Sequence, residues 1–176
     1  MSRPETRYFP ATRNGRHTRP SRTTAIVRPL ITKGDVTYTF AIVPTPPAST
    51  VDIAVPTGTR WRVHSINAEF LTDGNALNRQ VMLREFANNA IPNLTWASPP
   101  SPNIGAASSP NIIFVENYSI LESAFDNNIR VRIYKPSHVH AGGEFLNLLA
   151  FNPGGGALGP NDTFGRIIVK VTENVT

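Results

Sequence analysis

A chain of 176 residues can hold one domain and an appendage, but it is too short for two ordinary domains. Its composition, with 40 % hydrophobic residues, 16 % charged residues and a net charge of +5, is that of a folded protein, and the absence of cysteine excludes disulfide scaffolds, thiolate metal sites and cysteine nucleophiles. No apolar run approaches the roughly 20 residues that span a bilayer, and no signal-peptide core is present, so we expect a soluble protein made in the cytoplasm.

The positive charge lies in the first 33 residues. These contain eight Lys or Arg and one acid, a net charge of +7, whereas the other 143 residues hold nine basic residues and eleven acids, a net charge of −2. Prolines at positions 4, 10, 20 and 29, with no helical or strand periodicity, predict an extended, polyproline-like segment without a fold of its own. We therefore divide the chain into a basic arm, residues 1–33, and a body, residues 34–176.

The arginines of the arm indicate an anionic partner. Those from Arg13 to Arg22 recur every third residue, so polyproline II would place them along one edge at intervals of about 9 Å. Spaced arginines neutralise nucleic-acid phosphates, but interleaved apolar residues suit an extended segment on an acidic protein surface as well. We expect a protein surface first and nucleic acid second, with a solvated tail as the remaining interpretation. The predicted partner-binding residues are Arg3, Arg7, Tyr8, Phe9, Arg13, Arg16, Arg19, Arg22 and Arg28.

The body alternates apolar and polar residues with period two, which predicts β-strands. Proline- and glycine-rich stretches separate these segments and predict turns. Eight such strands indicate an all-β fold of two packed antiparallel sheets, a β-sandwich of the jelly-roll type or a close relative. The predicted strands are 35–43, 51–55, 60–71, 79–86, 112–117, 128–134, 145–151 and 164–172.

The strand predicted over 60–71 changes phase at its middle. Trp61 and Val63 share one face by alternation, whereas Ile66, Ala68 and Phe70 fall on the other. A β-bulge near His64 or Ser65 would bring both sets to the same side. We therefore expect His64 to be a structural residue at a bend and not a ligand.

Two loops could be taken for functional sites. The segment 97–111 is rich in Pro, Ser, Asn and Ala and has no titratable side chain, so it predicts a subunit contact and cannot perform acid–base catalysis. The segment 152–162 contains GGGALG but lacks the Lys-Ser/Thr and the helix of a phosphate-binding loop, so we interpret it as a turn.

The stretch HVHAGGE, residues 138–144, carries a candidate metal motif. His138, His140 and Glu144 are suitable ligands for a divalent ion such as iron or zinc, and their spacing is similar to the first metal-binding motif of the cupins. The resemblance implies a further histidine downstream, but the other histidines, His17 and His64, both precede the motif. We therefore predict a turn between two strands with no metal or other cofactor, and a metal site stays the alternative.

One run resembles a known family. The run VPTGTRWRVHSINAEFLTDGNALNRQVMLREF, residues 55–86, resembles small β-sandwich proteins of tailed bacteriophages in its P-x-G turn, W-R-V, L-T, Asn/Gly turn and N-R-Q-V. The later GPNDTFGRIIVKVTE is similar too, and the likeness extends more loosely over 128–173. The resemblance implies a capsid cement, or decoration, protein: a jelly-roll unit that clusters on a viral shell, often as a trimer, and reinforces it. The arm is not part of that pattern and would be an addition that staples neighbouring shell subunits.

The sequence thus predicts a structural virion protein and not an enzyme. The acids Asp35, Asp52, Glu69, Asp73 and Glu85 are expected at strand edges or turns in contact with solvent, and no catalytic constellation is evident. The expected partners are the major capsid protein and further copies of this chain, with nucleic acid as second choice and no membrane, and the expected location is the capsid surface. The alternatives are a jelly-roll coat protein whose arm binds RNA inside the shell, and a cupin-like metalloprotein.

Overall fold

The computed structural model describes residues 34–87, 93–116 and 130–175, so the predicted arm lies outside the described residues. These ranges form ten β-strands, and no helix within them is long and apolar enough to cross a membrane. The strands are β1 (Gly34–Ile42), β2 (Thr50–Ala54), β3 (Thr59–Leu71), β4 (Gln80–Phe86), β5 (Leu94–Ala97), β6 (Asn111–Glu116), β7 (Arg130–Lys135), β8 (Val139–Ala141), β9 (Phe145–Phe151) and β10 (Thr163–Val175).

The strands form two sheets that face each other across the core. The first sheet has the order β1-β10-β3-β6-β7, with β8 also paired to β3, and the second has the order β2-β9-β4-β5. All neighbours are antiparallel except β6 and β7. Without β7 and β8, the two four-stranded orders are those of a jelly roll, in which two Greek keys are wrapped into facing sheets. The predicted fold class is confirmed.

Each of the eight predicted strands is present, and the two that the sequence did not predict are the shortest. β5 has four residues and β8 has three, too few to show a period of two. For the strand predicted over 128–134, the described part begins at Arg130.

The predicted bulge in β3 is confirmed at His64. Lys170 of β10 pairs with Ser65 and Val171 pairs with Val63, so His64 has no partner opposite and is the extra residue. Its ring nitrogen Nε2 lies 2.7 Å from the hydroxyl of Thr172, the contact expected of a structural residue. The extra residue restores the phase of the strand, and the core side of β3 is formed by Trp61, Val63, Ile66, Ala68 and Phe70, all fully buried.

The loop 97–111 closes one edge of β4. Ser98 and Ser101 each donate a backbone N–H to β4, to the carbonyls of Leu83 and Val81, at 2.8 Å. Their hydroxyls accept the N–H groups of the same two residues at 3.0 Å. Ile104 then pairs with Arg79 through both backbone groups. The inner side of the loop is thus used by its own body, and the predicted subunit contact remains a prediction for its exposed prolines.

Candidate functional site

The stretch HVHAGGE connects β8 to β9 by a tight turn, as predicted. His140 lies in β8 opposite Trp61 of β3, and Gly142 and Gly143 form the turn. A Cβ on Gly142 would lie 2.8 Å from the carbonyl oxygen of Pro56 and 2.9 Å from Cα of Thr57, so a side chain there would clash with the β2–β3 turn. Gly143 has φ +94°, which favours glycine. Packing therefore accounts for Gly142, and backbone conformation accounts for Gly143.

Around this turn lies a buried cluster that includes a residue not predicted from the sequence. Glu85 of β4 is 1 % exposed, and its Oε2 lies 2.6 Å from Nδ1 of His138. Its Oε1 lies 3.4 Å from Nζ of Lys135 and 3.6 Å from Nε2 of His140. The other ring nitrogen of His140 is 3.4 Å from Glu144. We call these five residues, which join the two sheets at one end of the sandwich, the Glu85 cluster.

The expectation that Glu85 contacts solvent is wrong, and the sequence contained a signal against it. In QVMLREF the period of two places Glu85 on the same face as Val81 and Leu83, both of which are fully buried. A carboxylate in that phase must be buried, and a buried carboxylate requires cationic or hydrogen-bonding partners. Those partners lie about 50 residues further along the chain, where only the fold brings them near.

The Glu85 cluster does not fit a metal ion. Within 34–87, 93–116 and 130–175, no group of three or more His, Asp or Glu side chains is arranged to hold one. The two imidazole rings of the motif contact different oxygens of Glu85, and the side of Oε1 that a cation would approach already holds the ammonium of Lys135. The geometry therefore gives no support to the cupin-like alternative.

Burial has the largest effect on two members of the cluster. Together with the neighbouring basic groups of Lys135 and His138, it lowers the pKa of His140 although the carboxylates of Glu85 and Glu144 raise it. Burial likewise lowers the pKa of Lys135 although Glu85 raises it. A neutral imidazole has a single N–H, so His140 can donate to only one of the two carboxylates that it faces. Glu85 Oε1 and His140 Nε2 are buried without a hydrogen-bond partner.

A second buried cluster is centred on Arg79, which is fully buried. Its Nε donates to both carboxylate oxygens of Asp162 at 2.9 Å, and its Nη2 donates to Asp73. Burial raises the pKa of Asp162, whereas hydrogen bonds from Arg79 and from the backbone amides of Asp73 and Gly159 lower it. The lowering effects are together the larger, so the pKa lies below the ordinary value. Asp73, expected in contact with solvent, is thus ion-paired with its side chain 7 % exposed.

The Arg79 cluster contains the residues that carry the bacteriophage resemblance. Asp73, Asn75 and Arg79 belong to the run over 55–86, and Gly159 and Asp162 belong to the GPND segment. Nη1 of Arg79 donates to the carbonyls of Asn75 and Leu77 at 2.8 and 2.9 Å, so the guanidinium fixes the whole β3–β4 turn. The motif stabilises two loops of the fold and contains no reactive group.

The described body has no excess charge. It holds nine basic and nine acidic residues, a net charge of zero. Five of the acids lie within 4 Å of a basic side chain: Asp73, Glu85, Glu116, Glu144 and Asp162. Glu173 is buried and accepts hydrogen bonds from Trp61 and Tyr38. The three that remain are Asp35, Asp52 and Glu69, and each accepts a hydrogen bond from the body.

The predicted partner-binding residues from Arg3 to Arg28 lie outside the described residues. No protein-family model, curated protein or solved structure matches this chain.

Proposed function

We propose that this protein is a structural component of a viral particle, a jelly roll whose basic arm binds a polyanion within that particle. The proposal rests on one combination: a complete jelly-roll strand order follows directly after a segment with a net charge of +7. The described body, at net zero charge, leaves four carboxylates outside ion pairs and the core, namely Asp35, Asp52, Glu69 and Glu144, because the only basic neighbour of Glu144 is the neutral His140. It therefore offers few partners for the arm. The anion that balances the arm then belongs to another molecule.

The first form of this proposal is a capsid cement protein, which the bacteriophage resemblance supports. The body would cluster as a homotrimer on the outer surface of a shell. The arm, with Tyr8 and Phe9 as apolar anchors, would cross the neighbouring major capsid subunits. Many small contacts repeated around the particle would then add up by avidity.

The second form is a coat protein whose jelly roll forms the shell itself while its arm binds nucleic acid. The charge balance of the body favours this form. An arm that neutralises phosphates gains affinity by counterion release and needs no carboxylate on a protein surface. In either form the buried titratable residues contact one another and maintain the fold, and we propose no enzymatic activity.

The two forms differ in what the purified full-length chain does alone. A coat protein would form closed particles visible by electron microscopy and would retain nucleic acid, whereas a cement protein would bind only to preformed shells. The salt dependence of nucleic-acid binding supplies the quantitative test, since each phosphate contact contributes about 0.7–0.9 to the slope of log K against log salt concentration.

A triple variant tests the arm directly. Replacing Arg13, Arg16 and Arg19 by Ala should reduce that slope by about 2–3. The matched control removes the same charge from the exposed surface of the body, by Arg60→Ala, Arg166→Ala and Lys170→Ala, and should leave the slope nearly unchanged. Equal effects of the two triple variants would overturn the nucleic-acid form. Binding to neither nucleic acid nor a shell would overturn the whole proposal.

A further inference from the structure

The outer face of the second sheet carries large apolar side chains, of which Phe145 is buried at 7 % exposed while Leu149 and Phe151 are half-buried. Strand β9, FLNLLAF, directs Leu146, Leu148 and Ala150 into the core, and yet Phe145, Leu149 and Phe151 occupy its other face. An antiparallel strand with one solvated face alternates apolar and polar residues, whereas a nearly continuous apolar run is typical of a strand covered on both faces. The sequence of β9 therefore predicts a covering for this face.

Neighbouring strands extend the apolar surface into two clusters. At one end Phe86 of β4 stacks on Phe145, with ring centroids 4.7 Å apart, and Leu94 of β5 lies beside them 51 % exposed. At the other end Met82 of β4 pairs with Leu149. The clusters are four residues apart along the strands, a separation of about 13 Å.

A polar row separates these two clusters. Arg84 donates to the side-chain oxygen of Asn147 at 2.6 and 3.0 Å, and the amide of Asn147 donates to Asp52 at 2.5 Å. Asp52 is exposed and forms no ion pair within the described ranges. We call this apolar–polar–apolar surface the second-sheet face. The outer face of the first sheet differs, with polar residues such as Thr37, Thr39, Arg60, Arg62 and Lys170.

The size of the second-sheet face argues against a second folded body as its occupant. Four strands about 4.8 Å apart and about six residues long cover about 400 Å², so two such faces packed together would bury about 800 Å². Stable interfaces bury about 1,200–2,000 Å² in total. A six-residue segment would bury less still, so the choice of the arm depends on its pattern and its length and not on the size of the face.

The arm contains a segment with the complementary pattern. In an extended backbone Ile26, Arg28 and Leu30 share one side, and Val27, Pro29 and Ile31 share the other. Ile26 and Leu30 are four residues apart, about 13 Å, which matches the spacing of the two apolar clusters. Arg28 would then lie at the polar row, where Asp52 supplies a carboxylate.

The length of the chain excludes its own arm as the occupant in this register. The described chain begins at Gly34 in β1, an edge strand of the other sheet. Since packed sheets are about 10 Å apart, a segment on the outer side of the second sheet lies about 20 Å from the level of β1. The three residues from Ile31 to Gly34 span at most about 11 Å. Residues 30 and 31 therefore reach this face only from a different molecule.

We propose that the second-sheet face binds residues 26–31 of the arm of a second copy of this chain, with Arg28 paired to Asp52. Arm exchange of this kind links copies through residues 26–31 and leaves the arginines from Arg3 to Arg22 for the anionic partner. The proposal rests on the described body and on chain length, so it holds whether or not the protein belongs to a virus.

The absence of cysteine permits a direct test by disulfide trapping. Two full-length single-cysteine variants, Ile26→Cys with an affinity tag and Leu149→Cys without one, are mixed and oxidised, since Ile26 shares the side of Arg28 in an extended segment. We expect a tagged–untagged heterodimer on a non-reducing gel, at a yield several-fold above that of Ile26→Cys mixed with Thr39→Cys, an exposed site on the other sheet. Equal yields for the two mixtures would overturn the proposal.

The double variant and a charge swap distinguish the other occupants. In the Ile26→Cys/Leu149→Cys protein, a disulfide only within one chain would assign the face to its own arm and overturn the exchange. A dominant homodimer of Leu149→Cys would assign it to a second body and would also overturn it. Asp52→Arg introduced into the Leu149→Cys partner should lower the heterodimer yield, and Arg28→Asp in the tagged partner should restore it. Loss without restoration would overturn the assigned pairing of Arg28 with Asp52.

Discussion

His140 faces a carboxylate on each side, and yet its pKa is lowered, because burial together with the neighbouring basic groups of Lys135 and His138 outweighs both negative charges. In the unfolded chain the same imidazole titrates near the ordinary histidine pKa of about 6.5. As the pH falls below this value, the unfolded chain takes up a proton that the folded protein resists. Acid therefore favours unfolding.

We predict that the free energy of unfolding decreases between pH 7.5 and pH 5, and that His140→Gln removes most of this decrease. Urea unfolding at a series of pH values measures it. His64→Gln is the matched control, because it removes a histidine that lies outside the Glu85 cluster. A further loss is expected below about pH 4, the ordinary carboxyl range, because the lowered pKa of Asp162 stabilises the folded state only while that group is ionised. A profile that is flat down to pH 5 in the wild-type protein would contradict the role of His140.

At the scale of elements, the loop after β5 takes the place of a strand along β4. Ser98 and Ser101 are three residues apart in the loop, and they bind Leu83 and Val81, which are two residues apart in β4. Each serine hydroxyl accepts one N–H of the strand and donates to the carbonyl of the proline that follows it. Prolines have no N–H, so the outer side of this loop presents few donors for pairing with another chain.

We predict that Ser98→Ala and Ser101→Ala each lower the free energy of unfolding by about 1–3 kcal/mol, since each leaves a buried N–H of β4 without its side-chain acceptor. Ser109→Ala, at an exposed position of the same loop, should change it by less than about 0.5 kcal/mol. Chemical denaturation compares the three. Equal small effects would mean that the hydroxyls do not hold the edge.

The elements that could be predicted from the sequence are the strands long enough to show the alternation of apolar and polar residues. The phase change of β3 even located the bulge at His64, because five apolar residues had to face one core. β5 and β8 were missed since four and three residues show no period. The burial of Glu85 was visible in the phase of β4, but its contacts with Lys135 and His138 depend on strands that are distant in sequence. The pattern of β9 was also visible, and it becomes informative only when its outer neighbours are known.

At the scale of the whole molecule, the proposed function assigns separate roles to the arm and the body. The described hydrophobic core is built from residues between Phe40 and Val171, and both buried ionic clusters lie in the body. In this proposal the arm supplies charge and apolar residues, and the body supplies a stable platform.

We predict that deletion of residues 2–33 leaves a folded body with a thermal unfolding midpoint within a few degrees of that of the full chain. The same deletion should abolish binding to the shell or to nucleic acid, because it removes eight basic residues. Circular dichroism follows the first quantity, and cosedimentation with the partner follows the second. Retained binding by the shortened protein would place the binding surface on the body.

The position of β10 between β1 and β3 has a consequence for biosynthesis. β10 is translated after both of its neighbours, so β1 and β3 must wait for it while the rest of the body is made. Residues 1–33 are translated before the body and, under the proposed function, would need no later residue to engage an anion. A nascent chain could then be captured by its proposed partner before its own body has closed, which would concentrate new copies near that partner.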